Sequence, residues 1–157
     1  MNIKLIAIGK TDNKQLQTLL DDYQKRLSFY VKFDLEVILD LKNVKNLSEL
    51  QQKEKEGELI LSKITSTDQL ILLDENGKNF SSMAFSAELQ KKMNSGIKTL
   101  VFVIGGPYGF SDAVYQKAQG KISLSQMTFS HQMVRLFFIE QLYRGFTILK
   151  NEPYHHQ

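Results

Sequence analysis

The chain has no cysteine. That excludes a disulfide framework, a thiolate metal site and a thiol nucleophile, and it fits a cytoplasmic protein. Proline is scarce: Pro107 sits in a glycine bend and Pro153 in the terminal tail. No apolar run approaches the ~20 residues a membrane helix needs. Met1-Asn2-Ile3-Lys4 opens straight into a strand pattern, with no sign of a signal peptide. Repeats, low-complexity segments and linkers are absent. So are a nucleophile elbow, a P-loop and a kinase signature. No histidine pair has helical metal-ligand spacing with a carboxylate partner, so no metal is expected. Gly9-Lys10-Thr11-Asp12 lacks the further glycines of a dinucleotide turn, which argues against a nicotinamide site. The net charge is only +3, with a pI near 9.0. This mild basic bias permits a nucleic-acid partner without demanding one.

What is present is an ordinary globular composition, 42% hydrophobic and 24% charged. At 157 residues, one domain spanning 1–157 with a sizeable core is expected. The most informative stretch is Val101-Phe102-Val103-Ile104-Gly105-Gly106-Pro107-Tyr108-Gly109. Its apolar half reads as a fully buried strand. Glycine then lets backbone turn sharply or approach a ligand closely, and Pro107 fixes one φ. Ser111 is a natural N-cap and Asp112 suits the positive end of a helix. In α/β proteins small molecules bind at the carboxyl ends of strands. The plain alternative is a tight turn with no ligand.

In chain order, Ile3–Ile8 is a short strand closed by Gly9. Leu16, Leu19, Leu20, Tyr23 and Leu27 recur at helical spacing. Phe33, Leu35 and Val37 alternate with acids, the pattern of a half-exposed strand near an edge. Residues 40–47 form a polar connection, and Ser48 with Gln51 resembles a capping box. The run Gln51–Glu56 reads as a solvated helix face laced by i,i+4 pairs, or else as a contact surface for a large acidic partner. Gln69–Leu73 is a second buried strand, ending in a turn at Asp74–Lys78. Ser81 or Ser82 caps a helix carrying Phe85, Leu89 and Met93. A short helix from Asp112 to about Ala118 precedes a fifth strand, Ile122-Ser123-Leu124. The last helix runs from His131 to about Lys150, with Ser130 able to cap it. Its apolar residues cover more than one face, so one side can meet the core and another a second subunit.

Strand and helix alternate throughout, so the class is α/β with a mainly parallel sheet flanked by helices. The strands ending at Leu73, Ile104 and Leu124 would, as neighbours, present three loops around one crevice. Such a pocket has few ionisable groups and is built to bind, with chemistry supplied from elsewhere. On the last helix, Glu140 and Arg144 are an i,i+4 ion pair by default. His131 and Arg135 share one face. His155 and His156 lie in a tail that is disordered by default, yet Tyr154 is an odd residue to leave idle there.

Gly105-Gly106-Pro107-Tyr108-Gly109, the run Leu124 to Arg135, Glu140-Gln141-Leu142-Tyr143-Arg144 and Pro153-Tyr154-His155 together resemble the small SPOUT methyltransferases. Gly9 and the Lys55-Glu56-Gly57 run match too, so the resemblance covers essentially the whole chain. It departs from the pattern at His156, where a basic residue, commonly arginine, follows the histidine. The resemblance implies an α/β knot with the C-terminal segment threaded at the cofactor site. It implies methylation of N3 of a pseudouridine in 23S rRNA of the assembled ribosome, with S-adenosyl-L-methionine (SAM) as donor. It also implies a homodimer with its cofactor sites near the subunit interface.

Carried over by motif, Leu73, Gly105, Gly106, Leu124, Ser125, Gln126, Met127, Thr128 and Phe129 would contact the cofactor. Gly105 and Gly106 would be small because backbone must pass close to the ligand. Leu124 with Met127 or Phe129 would sandwich the adenine. Arg144 would hold the target nucleotide, Tyr154 would stack on or hydrogen-bond the base, and His155 would take or relay the N3 proton. Two other functions remain open on the sequence: a SPOUT enzyme for tRNA or another rRNA base, and a non-catalytic dimer that binds a nucleotide or RNA.

Overall fold

The computed structural model describes residues 1–156. Five strands form one sheet: β1 (Asn2–Ile8), β2 (Lys32–Ile38), β3 (Asp68–Asn79), β4 (Thr99–Ile104) and β5 (Gly120–Ser123). Their order is β2-β1-β4-β3-β5, and every pairing is parallel. The helices are α1 (Lys14–Leu27), α2 (Glu49–Leu61), α3 (Ser82–Asn94), α4 (Asp112–Lys117) and α5 (Met133–Leu149). A 3-10 turn at Val44–Asn46 lies in the polar connection.

A parallel sheet must bury both faces, and the alternation of side chains decides what goes where. Ile3, Leu5 and Ala7 of β1, with Leu100, Phe102 and Ile104 of β4, face α1, α3 and α5. Ile6, Ile8, Val101 and Val103 face the other way, against Ile60 of α2 and Val114 of α4. Three layers result, with α5 packed between α1 and α3. β2 is an edge strand and half-exposed, as its alternation implies. No helix among the described residues is long and apolar enough to cross a membrane.

Local signals place several boundaries. Asn13, Ser48, Ser81 and Ser111 each accept a backbone N–H in the first turn of the helix that follows. Ser48 and Gln51 form the full capping box. Ser130 Oγ accepts the Met133 N–H at 3.2 Å, but α5 itself begins at Met133, two residues later than the sequence implies. The fifth strand lies slightly earlier than the sequence places it, and Leu124 falls outside it.

One local reading is overturned. Asp74–Lys78 has turn composition, yet β3 continues through it to Asn79. Ile122 of β5 pairs with both Leu73 and Lys78, so the intervening residues leave the ladder as a bulge. Asp74 Oδ1 accepts the Asn76 N–H at 2.7 Å and shapes it. A Cβ at Gly77 would lie 2.5 Å from the Ile122 carbonyl carbon, so only glycine lets β5 run alongside.

Phe138 of α5 is fully buried and lies 4.6 Å from Phe102, centroid to centroid. Phe138→Ala is expected to destabilise the fold by about 3–5 kcal/mol. Urea unfolding should show a lower midpoint at unchanged slope. A loss below about 1 kcal/mol would mean that α5 is not held through this face.

Candidate functional site

β4, β3 and β5 are neighbours, so their carboxyl ends open together. The loops leaving them enclose a crevice of about 620 Å³, a size that suits a nucleoside-containing ligand. Leu73, Ile104 and Ile122 form its floor, and Gly105–Phe110 one wall. The opposite wall is Ser123–Ser125 and Met127–His131, with Val134 from the first turn of α5. Asp74, Glu75, Asn76 and Tyr115 stand at the rim. The crevice is thus more polar than the sequence implies. Its acids come from the β3 bulge, which composition alone assigns to an ordinary turn.

The glycine wall is tightly made. Gly109 has φ +82 and donates its N–H to the Gly106 carbonyl at 3.1 Å, closing a small loop. A Cβ at Gly105 would lie 3.1 Å from the Phe110 ring, and one at Gly106 would lie 2.2 Å from the Glu56 carboxylate. A side chain at either position would therefore need the Phe110 ring or the Glu56 side chain to shift. The approach of a ligand, which the sequence offers as the reason, is not needed to explain the two glycines.

Of the residues carried over as cofactor contacts, Leu73, Gly105, Gly106, Leu124, Ser125, Met127, Thr128 and Phe129 all line the crevice. Gln126 does not. The segment between β5 and α5 is folded by its serines: Ser123 Oγ donates to the Ser125 carbonyl at 2.8 Å, and Ser125 Oγ accepts the Met127 N–H at 2.9 Å. Met127 is left 77% exposed and Phe129 37%. Phe129 packs on Phe137 at 4.9 Å, and Phe137 and Met133 are also partly bare. An apolar strip thus runs from the crevice mouth onto the outer face of α5.

Arg144, Tyr154 and His155 do come together, but elsewhere. Asn151 takes a left-handed conformation, φ +54, and the Glu152 N–H reaches the Thr147 carbonyl at 2.9 Å. This closes α5 and turns the tail back along it. Tyr154 then packs edge-on against Tyr143 at 4.7 Å, under the Arg144 guanidinium at 4.7 Å. Its hydroxyl lies 3.0 Å from both Glu140 Oε1 and Tyr23 Oη. Tyr30 donates to Glu152. The tail is ordered by these contacts.

The i,i+4 pair is real: Arg144 donates to Glu140 Oε1 through Nε at 3.0 Å and Nη2 at 2.6 Å. Burial works against the Arg144 charge, but the hydrogen bonds and charge of Glu140 hold the guanidinium above its ordinary pKa. Burial also pushes the Tyr154 phenol far up, with Tyr23 and Glu140 adding to it. Tyr154 is thus a hydrogen-bond donor and not a base. Arg144 Nη1 lies 3.3 Å from His155 Nδ1. A guanidinium only donates, so this contact makes Nδ1 the acceptor and leaves the ring proton on Nε2. The trio does not line the crevice. Val134 and Arg144 are ten residues apart on α5, about 15 Å along its axis.

Two buried polar groups escape a reading of the sequence. Arg135 is fully buried and donates to the carbonyls of His131 and Ile8 and to Thr11 Oγ1. It ties the start of α5 to the loop after β1. Its spacing from His131 puts both on one face, but nothing local says that face is interior. Glu56, read as part of a solvated face, is 3% exposed. The glycine beside it, which lets a helix approach its neighbour closely, is the one available signal.

Tyr115 donates to Asp74 Oδ2 at 2.5 Å. Burial, then the carboxylate, pushes this phenol up to about 12. The bond therefore stabilises the rim fully below the ordinary tyrosine range near 10 and is lost as pH rises through about 12. In a spectrophotometric titration, Tyr115→Phe should remove absorbance only from the strongly alkaline part of the curve. Loss centred near pH ~10 would contradict the bond.

A family model described as "Predicted SPOUT methyltransferase" matches residues 1–155. Ribosomal RNA large subunit methyltransferase H of Flavobacterium psychrophilum is 89% identical over 157 residues, covering all of both chains. The proteins of the same name from Flavobacterium johnsoniae and Parabacteroides distasonis are 85% and 63% identical, again over the full length of both chains. Two of the segments that carry the resemblance line the crevice, and the match runs from end to end: this chain belongs to the SPOUT methyltransferase family.

Proposed function

We propose that the chain transfers a methyl group from SAM to N3 of a pseudouridine in 23S rRNA of the assembled ribosome. In this reading the whole chain serves as one domain, in the cytoplasm, and as a homodimer. The observation that carries it is the crevice at the ends of β4, β3 and β5, in a chain that matches large-subunit rRNA methyltransferases over its full length. The residues present fit SAM. Asp74 and Glu75 suit its ammonium and sulfonium charges, and exposed Met127 and Phe129 offer flat apolar cover for adenine. Leu73 and Leu124 close the apolar side. The implied knot would thread the C-terminal segment at this site.

Bound there, SAM supplies an electrophilic methyl group. The protein's share is to place the attacking nitrogen in line and to let its proton leave. Arg144, Tyr154 and His155 are the RNA-handling group. They sit too far along α5 to serve the crevice of their own chain, which supports action across a dimer seam. The apolar strip of Phe129, Met133 and Phe137 is a fitting surface for that seam. A substrate phosphate would draw the Arg144 guanidinium away from His155. That would free Nδ1 to take the N3 proton, while Tyr154 donates a hydrogen bond to the base.

A radiolabelled-methyl assay on intact ribosomes from a strain lacking the gene tests the activity. Tyr154→Phe and His155→Ala are expected to lower kcat by about 10²–10⁴, the usual worth of acid–base groups. Unchanged transfer in both would remove them from the site. Mixing Arg144→Ala chains with chains carrying a ruined crevice should restore part of the activity, since one seam then holds both intact halves. No recovery after subunit exchange would place the whole site within one chain. With a net charge of +3, naked rRNA should bind weakly and the ribosome much better. Equal affinity for a bare hairpin would count against the assembled ribosome as substrate.

A further inference from the structure

Glu56 has no part in the chemistry above, yet its placement is unusual. Its Oε1 accepts from Gln52 Nε2 at 2.9 Å, while Oε2 is buried with no partner. Leaving a buried carboxyl oxygen without a donor is costly. Among the described residues only Gln132 Oε1 shares that condition. Oε2 is aimed at Gly106: a Cβ built there would lie 2.2 Å from it and 2.8 Å from the carboxyl carbon. The carboxyl thus occupies the volume that a side chain at Gly106 would need.

The next residue repeats the arrangement. A Cβ at Gly57 would lie 2.2 Å from Ser111 Oγ and 3.3 Å from Val114 Cγ2. Ser111 is buried and caps α4. Two consecutive residues of α2 therefore lie against both ends of the loop from Gly105 to Ser111, whose Gly105–Phe110 part is one wall of the crevice. Burial pushes the Glu56 carboxyl above its ordinary value; the Gln52 hydrogen bond opposes this and the charge of Asp40 adds to it. A neutral carboxyl is the cheaper form in such a place.

We propose that Glu56 is a positioning residue for the methyl-donor site: its carboxyl, seated in the space beside Gly106, sets the Gly105-Gly106-Pro107 backbone against the crevice. This rests on the reading of the crevice as the donor site. Glu56 acts through Gly106 and touches neither donor nor RNA. Its loss should therefore weaken donor binding more than it slows transfer.

The test measures SAM affinity by calorimetry, and the donor KM and kcat on ribosomes, with thermal unfolding as a check on folding. Glu56→Ala is expected to raise the donor Kd and KM about tenfold with little change in kcat at saturating donor. Glu56→Gln keeps the shape without the charge and should bind close to wild type. Gly106→Ala should weaken binding by collision, and Glu56→Ala in the same chain should recover most of that loss. Should Glu56→Ala fail to fold, Glu56→Asp withdraws the carboxyl by one methylene and serves in its place. Wild-type binding retained in Glu56→Ala overturns the inference alone, as does a double variant no better than Gly106→Ala. A wild-type chain that binds no SAM overturns the donor-site reading and this inference with it.

Discussion

Parallel pairing of β4, β3 and β5 is the constraint from which the site follows. Strands that run the same way release their loops at one edge, and neighbours release them side by side. Three segments far apart in sequence then meet without any long-range recognition of their own. The sheet is buried on both faces, so this edge is where backbone groups are free to meet a ligand. Sequence order alone does not make these three strands adjacent. That adjacency comes from β4 slipping in beside β1 and leaving β3 between β4 and β5.

The last helix links the crevice to the cluster of Arg144, Tyr154 and His155. Its first turn closes the crevice with Val134 and is anchored by the buried Arg135. Its last turns carry Glu140 and Arg144, on which Tyr154 and His155 settle after the reversal at Asn151. A straight helix separates these ends by a distance no side chain spans. Either the two ends serve separate purposes or two chains bring unlike ends together. Held by Glu140, Tyr154 and His155, the Arg144 guanidinium keeps its charge and a fixed place on the helix.

The strands and most helix starts are legible because local chemistry carries them, whereas the crevice follows from the sequence only on condition that its three strands adjoin. Runs such as Val101–Ile104 have only one comfortable place in a parallel sheet. Ser48 with Gln51 and Ser111 before Asp112 mark helix starts by bonds formed within three residues. The β3 bulge was not legible, because Asp74–Lys78 has the composition of a turn and only pairing with β5 keeps it extended. Glu56 was misread for a similar reason. On a polar helix a glutamate belongs to solvent unless a neighbouring chain covers it, and the covering loop lies some fifty residues away. Gly105 and Gly106 are visible in the sequence, but what stands beside them is not: Phe110 faces the one and the Glu56 carboxyl the other.

By itself the sequence determined what local interactions dictate: an alternating α/β chain with buried strands, capped helices, glycine bends at strand ends and the motifs of a methyltransferase family. Periodicity, capping and turn chemistry act over a few residues, so they can be read from a string. The tertiary structure alone decided which strand ends adjoin, that Glu56 and Arg135 are interior, and that Arg144, Tyr154 and His155 gather well along the last helix from the crevice. Those outcomes depend on burial and on contacts between distant segments, and neither exists until the sheet is assembled.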